Sequence, residues 1–273
     1  MLRQIIQRTK AVDALSFLRS AKLYYATHTY TPKVVHRVYG RNSFYVHIKD
    51  HNAEQWYDYD WTNRSEIAFL EKLGLKPGAT VFNLGAHQGV VALMLAATVG
   101  HQGQVVALEA GPYNAEVAEL NREANDATNL HILNAAIAAE RGVLRFADSL
   151  CGHVDDGLGG IKVPARTIDD LADEYGHPSV LYIDVEGFEC EALSGAARTL
   201  ALGSDCFVEI HSGVGLEKYG GSIGKVLSFF PADRYDLFYA TCNGGEFVPL
   251  LDRNEIAGQM QGKRWFVVAT LKR

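Results

Sequence analysis

From Thr80 onward, short runs of β-branched and aliphatic residues alternate with longer segments of helical character. Such alternation calls for a parallel sheet joined by right-handed helical crossovers. The pattern predicts strands at 80–84, 104–108, 130–134, 180–184 and 206–210, and helices near 89–99, 113–125, 167–175, 187–200 and 222–230. Val143-Leu144-Arg145-Phe146 reads as a hairpin strand after the third, and Tyr235 to Ala240 with Trp265 to Leu271 as a closing antiparallel pair. Upstream, Val34 to Tyr39 and Ser43 to Ile48, parted by Gly40-Arg41-Asn42, predict a small hairpin. A helix over Glu66 to Leu73 then ends at Gly74-Leu75-Lys76-Pro77-Gly78. The expected division is an extension of helix and hairpin over residues 1–76 and a main α/β domain over 77–273.

The first 22 residues carry Arg3, Arg8, Lys10, Arg19 and Lys22 against one acid, Asp13, and lack the continuous apolar stretch of a secretory signal. Leu2, Ile5, Ile6, Val12, Leu15 and Leu18 cluster on one side of a helix that is expected to dock on the domain or on a second copy, as in a homodimer. A formal net charge of -6 argues against a nucleic-acid partner. Cys151, Cys190, Cys206 and Cys242 are widely spaced and form no C-x-x-C pair, which suits reduced thiols in a cytoplasmic protein. The longest apolar run, Val90 to Val99, falls far short of the roughly 20 residues of a transmembrane helix.

Chemistry concentrates at Val81-Phe82-Asn83-Leu84-Gly85-Ala86-His87-Gln88-Gly89, an apolar strand entering a glycine turn before a helix. Glycines there let a cofactor press on backbone at the C-terminal end of a parallel strand. A dinucleotide fingerprint wants a glycine at the second position, where the pyrophosphate meets the helix N-terminus, but His87 stands there. The nearer pattern is the [D/E]-x-G-x-G-x-G loop of S-adenosylmethionine-dependent methyltransferases, with Asn83, Gly85, His87 and Gly89 in its slots and Ala86 between them. Glu109 closes the strand Gln104 to Leu108, where an acid about 20 residues after the turn meets ribose hydroxyls. Ala136, after the third strand, offers a small surface on which adenine lies flat.

Together with Leu75-Lys76-Pro77-Gly78, Val106-Ala107-Leu108-Glu109, Thr167-Ile168-Asp169-Asp170-Leu171, Ile183-Asp184-Val185-Glu186-Gly187-Phe188-Glu189, Gly195-Ala196 and Glu209-Ile210-His211, these segments resemble the FkbM family of S-adenosylmethionine-dependent O-methyltransferases over roughly Pro77 to His211. The resemblance implies a class I methyltransferase fold, a Rossmann-like, seven-stranded, mostly parallel sheet with helices on both faces. It implies methyl transfer from S-adenosylmethionine to a hydroxyl of a sugar, glycoconjugate or natural-product acceptor. Two positions depart from the family pattern: its acid at the start of the loop is Asn83, and its central asparagine is His87. The rival readings are a nicotinamide-dependent oxidoreductase, which His87 disfavours, and a non-catalytic methyltransferase-like binding protein, which Asn83 suggests.

In the sheet order of that fold, the strands ending at Asp184 and at Glu209 and His211 are neighbours of the first strand. Alternation puts Glu209 and His211 on one side. Imidazole accepts a proton near neutral pH, so His211 is expected to be the general base, with Asp184 or Glu209 orienting it or the substrate and Asp184 also bordering the cofactor. The same groups suit a divalent cation, ranked below direct base catalysis because no third carboxylate is evident beside Glu209. Glu186 and Glu189 flank Gly187 at a helix start, where capping is their default role; for Glu186 the family resemblance implies a functional role as the alternative. Trp56, Tyr57, Tyr59 and Trp61 are expected chiefly to pack the N-terminal segment, and Ser212-Gly213-Val214-Gly215 to form a mobile substrate loop.

Overall fold

The computed structural model describes residues 17–62, 75–147, 149–154, 160–242, 246–260 and 262–272. The helix expected at Glu66 to Leu73 and most of the basic N-terminal helix lie outside these residues. Residues 17–28 are helical, yet Phe17, Leu18, Tyr24 and Tyr25 on them are exposed.

Strands β1 (Lys33–Tyr39) and β2 (Asn42–Ile48) form the expected antiparallel hairpin, closed at Gly40, whose φ of 64° needs the freedom of glycine. Burial alternates along β2: Phe44, Val46 and Ile48 enter the core while Tyr45 faces out. Two asparagines satisfy its outer backbone edge, since the Tyr45 amide donates to Asn125 Oδ1 at 2.9 Å and the His47 amide to Asn121 Oδ1 at 2.7 Å. Both asparagines come from the end of the helix Pro112–Ala124 and the residue beyond it.

The main sheet is built from β3 (Thr80–Leu84), β4 (Gln104–Glu109) and β5 (Leu130–Asn134), and farther along the chain from β10 (Val180–Ile183), β11 (Asp205–His211), β12 (Tyr235–Thr241), β13 (Val248–Pro249) and β14 (Arg264–Leu271). Its order is β13-β12-β14-β11-β10-β3-β4-β5. The strands β11, β10, β3, β4 and β5 pair in parallel, whereas β14 lies antiparallel between β12 and β11. Seven strands match the expected class I methyltransferase arrangement, and the short β13 adds an eighth at one edge. The chain leaves β3 toward β4 on one side and returns to β10 on the other, which makes the β3/β10 junction the switch point where ligands bind in open α/β sheets. The strands are nearly continuous apolar runs because both faces are covered: one core holds Phe82, Leu84, Leu181 and Val208, and the other holds Val81, Tyr182, Phe207 and the hairpin residues Val46 and Ile48.

Val143 to Phe146 is the expected strand, β7 (Gly142–Ala147), in a separate four-stranded sheet with β6 (Ala136–Ile137), where it pairs antiparallel with β8 (His153–Val154) and β9 (Ile161–Arg166). Two local expectations are corrected. The single helix expected over 187–200 is two, Glu189–Ser194 and Ala197–Leu202. At the break, Gly195 approaches the Ala138 carbonyl so closely that a Cβ would sit 2.3 Å from it. Ser212 to Gly215 is a tied turn: Ser212 Oγ and the Gly213 amide donate to the two carboxylate oxygens of Glu217 at 2.6 and 2.8 Å.

Candidate active site

At the switch point the turn after β3 is drawn hard against the ends of two neighbouring strands. The amides of Gly85 and Ala86 both donate to the Leu108 carbonyl, at 2.9 and 2.8 Å. Gly85 has φ +84°, and a Cβ there would lie 1.7 Å from the Asp184 carbonyl oxygen. No other residue fits. Gly89 plays a different part: it caps the helix Val90–Val99 in the left-handed region and packs on Ala118, away from the cavity wall.

A cavity of about 740 Å³ opens above this turn. Of the residues predicted from sequence, Asn83, Gly85, Ala86, His87, Glu109, Ala136, Asp184 and Glu209 line it, while Gly89 and His211 do not. Asn83 is fully buried, and neither its Nδ2 nor its Oδ1 has a hydrogen-bond partner. An orphaned amide, with a donor and an acceptor at a cavity wall, fits a polar ligand. Glu109 is held in position by two backbone amides, His87 N onto Oε2 at 2.8 Å and Gly111 N onto Oε1 at 2.7 Å. Both carboxylate oxygens are acceptors, the groups that a vicinal diol needs.

His87 is a bridge. Its Nε2 lies 2.9 Å from the Leu150 carbonyl, which only accepts, so this nitrogen carries the hydrogen and Nδ1 accepts from Tyr57 Oη at 2.8 Å. Burial lowers its pKa, in keeping with a neutral ring. The ring thereby ties the cofactor turn to the N-terminal segment, whose Trp56, Tyr57 and Trp61 form part of the wall. Trp61 and Tyr57 are also core residues, whereas Tyr59 is exposed.

On the other side of the cavity, β10 ends in a turn that gathers acids. Glu186 takes the unusual φ of 50° and Gly187 a φ of 101°, with Gly187 packed so tightly on Gly215 that a Cβ would meet its carbonyl carbon at 2.4 Å. The turn brings Glu186 back toward Asp184, supplying the extra carboxylate that the sequence did not make evident. Beneath them His211 is fully buried. Its Nδ1 meets Glu189 Oε1 at 2.7 Å, while Nε2 stands 3.3 Å from Glu186 Oε2 and 3.6 Å from both Asp184 Oδ1 and Glu209 Oε1. Burial works against its protonation, but the Glu189 bond and the nearby charges of Asp184 and Glu186 prevail and raise its pKa to about 9. His211, expected as the general base, sits behind the cavity wall and does not line the cavity. Burial, followed by the charge of Glu209, raises the Asp184 pKa well above the ordinary carboxylate value.

Two partners of this cluster escaped the sequence reading. Glu189, expected to cap a helix, is fully buried and accepts from both His211 and the Gly187 amide, the latter at 2.8 Å. The D-x-E-G-x-E spacing places a second acid three residues after Glu186 but gives no sign of its burial. Arg264, delivered by β14, donates from Nε at 2.8 Å and from Nη2 to Glu209 Oε1. Nothing local to Arg264 in the sequence announces this contact.

The Methyltransferase FkbM domain matches residues 83–237. The chain belongs to this family. The FkbM match spans the turn at Asn83, Glu109, the Asp184 turn and β11, and a methyltransferase family does not fit the nicotinamide reading. Among solved structures, it is similar to an FkbM methyltransferase of Methylobacillus flagellatus KT at 15% identity, with 70% of this chain and 44% of that one covered and a TM-score of 0.46. The chain thus spans under half the length of that protein. It is also similar to an S-adenosylmethionine-dependent methyltransferase of Aquifex aeolicus, at 14% identity, 81% and 93% coverage and a TM-score of 0.44. A third is Aeropyrum pernix fibrillarin with natively bound S-adenosyl-L-methionine, at 13% identity, 75% and 74% coverage and a TM-score of 0.41. No curated protein matches the sequence. Among the described residues, no helix is long and apolar enough to cross a membrane.

Proposed function

We propose that this FkbM-family enzyme methylates a hydroxyl of a saccharide, glycoconjugate or polyhydroxylated natural product. The observation that carries the reading is the composition of the cavity lining, where the carboxylates Asp184, Glu186 and Glu209 occur together with Trp56, Trp61 and Trp265. Carboxylates accept hydrogen bonds from hydroxyl groups, and aromatic faces cover the apolar side of a ring, so the pair of surfaces suits a polyol.

The cofactor end consists of Asn83, Gly85, Ala86, His87, Glu109 and Ala136, and the orphaned amide of Asn83 is the feature that fits them to the group. Bound there, S-adenosylmethionine supplies a methyl group on a cationic sulfonium, open to attack by an acceptor oxygen. The chain's residues do the rest. Glu109 receives the ribose hydroxyls, Asn83 pairs with the polar end of the amino-acid moiety, and Ala86 and Ala136 leave room for flat packing. Gly89 contributes by starting the helix that supports the turn. Asp184 Oδ1 faces His211 Nε2, leaving the second oxygen to receive the proton of the attacking hydroxyl. His211 acts from behind as a positioning residue, and Arg264 fixes Glu209 at the rim.

The test is incubation with methyl-labelled cofactor and a panel of free sugars, glycosides and hydroxylated natural products, followed by NMR of the products. A labelled methyl on an ether oxygen is the expected result. Methyl groups found only on nitrogen or carbon, or no transfer to any acceptor although cofactor binds, would overturn the assignment, the second outcome in favour of a non-catalytic binding protein.

A further inference from the structure

The geometry points to a divalent first-row cation, of the manganese kind, held by His211 Nε2, Asp184 and Glu186 at the acceptor side of the cavity. Asp184, Glu186 and His211 each present a ligand atom, and these atoms all lie within 4.8 Å of one another. The cluster would mean little as a set of acids alone. What singles it out is the histidine: a side chain with no exposure whose Nε2 has no hydrogen-bond partner.

An imidazolium N–H surrounded by carboxylates ordinarily closes on one of them at about 2.7–2.9 Å. Nδ1 does so with Glu189, at 2.7 Å. Nε2 instead stands off from three carboxylate oxygens at 3.3–3.6 Å. Two ligand atoms that share an ion at about 2.1–2.2 Å, at angles near those of octahedral or tetrahedral sites, lie roughly 3–3.5 Å apart. The distance from Nε2 to Glu186 Oε2, 3.3 Å, falls in that range, and the 3.6 Å to Asp184 Oδ1 lies just beyond it. A cation there would take the place of the Nε2 proton.

The support behind the cluster has the same character. Metal-binding imidazoles commonly donate their other ring hydrogen to a carboxylate, which fixes the tautomer and aims the lone pair. Glu189 stands in that relation to Nδ1 and is itself fixed by the Gly187 amide at 2.8 Å. Glu209 is the nearby acid left out of the set, since Arg264 already holds the oxygen that faces His211. One imidazole with two carboxylates beside an open cavity favours manganese-like cations over calcium, which takes only oxygen, and over a closed structural zinc site.

This inference concerns the site assigned above to the acceptor, but binding of the ion is measured without any acceptor. Full-length protein, stripped by chelator and dialysed, is titrated with Mn²⁺ while the electron paramagnetic resonance signal of free Mn²⁺ is followed. One saturable ion per chain is expected. Glu186→Gln, at a half-exposed position, should weaken binding about 10-fold or more, and Glu189→Gln by about 10- to 100-fold through loss of the support. Calorimetry with S-adenosylmethionine on the same stripped samples reports whether each variant remains folded and binds cofactor. Absence of saturable Mn²⁺ uptake by wild-type protein that still binds S-adenosylmethionine overturns the cation site and leaves the methyltransferase reading standing. So does uptake that Glu186→Gln and Asp184→Asn both leave unchanged.

Discussion

Asn83 shows how one residue carries both the resemblance and the departure. It occupies the acid slot of the cofactor loop, is fully buried, and keeps its amide without a partner. Its worth is therefore paid out only when ligand is bound. Asn83→Ala is expected to leave unfolding nearly unchanged while weakening S-adenosylmethionine about 10-fold, the scale of one hydrogen bond of about 1.4 kcal/mol. Isothermal calorimetry beside urea unfolding separates the two effects. At this scale the residues on strand ends, Asn83, Glu109, Asp184 and Glu209, were legible because a strand that ends at a turn announces where its last side chain lies. The direction in which His211 faces was not, since it depends on Glu189, a residue 22 positions away whose burial no local pattern reveals. Arg264 is 55 positions from Glu209 and meets it only through strand pairing.

Among elements, the helix Ile168–Tyr175 shows the tightest local specification. Thr167 and Asp170 form a reciprocal capping box, and Arg141 reaches Asp170 from the turn before β7 at 2.8 Å. The hydrogen bond from Arg141, opposed by partial burial and aided by the Thr167 backbone and hydroxyl, lowers the Asp170 pKa to about 2. A carboxylate depressed in the folded state stabilises the protein above its unfolded pKa of about 3.9, and that contribution is lost as pH falls through the folded value. Asp170→Asn should therefore lower stability at pH 7 by about 1 kcal/mol, after allowing for the exposure of Arg141, and should flatten the loss of stability between about pH 4 and pH 2. Denaturant unfolding at a series of pH values reads both. The five central parallel strands were legible because each is a short apolar run between turns. Strand β9 was not, because Pro164 interrupts its β-branched pattern. The helix break at Gly195 was hidden too, because the carbonyl of Ala138 that crowds it comes from a distant segment.

For the molecule as a whole, the N-terminal segment and the methyltransferase sheet share a core, and their joint lies under the cofactor turn. Asp50 caps the helix His51–Tyr57 by accepting from the Ala53 amide at 2.8 Å, and it also accepts from Gln88 Nε2 at 2.7 Å and Tyr113 Oη at 3.0 Å while fully buried. Asp50→Ala would take one of the two acceptors of Gln88 Nε2, the other being Asn114 Oδ1 at 3.2 Å, and remove the cap, so a loss of about 2–4 kcal/mol is expected in urea unfolding. Because Gln88 adjoins His87, cofactor affinity should fall as well, and hydrogen exchange of residues 51–57 should slow when S-adenosylmethionine is added to the wild-type protein. Unchanged exchange there would show that the joint carries no strain from the site. The sequence marked residues 34–48 as a hairpin but gave no sign of where it docks, since docking is decided by side chains such as Asn121, Asn125 and Gln88 that look like ordinary helix-surface residues.

The position of β14 has a consequence in time. This strand is threaded between β11 and β12, so no stretch of chain synthesised before it can complete that side of the sheet, and Arg264 reaches Glu209 only as the strand slots in. On a ribosome, a nascent chain holds Asn83 and Glu109 long before it has the means to close the acceptor wall.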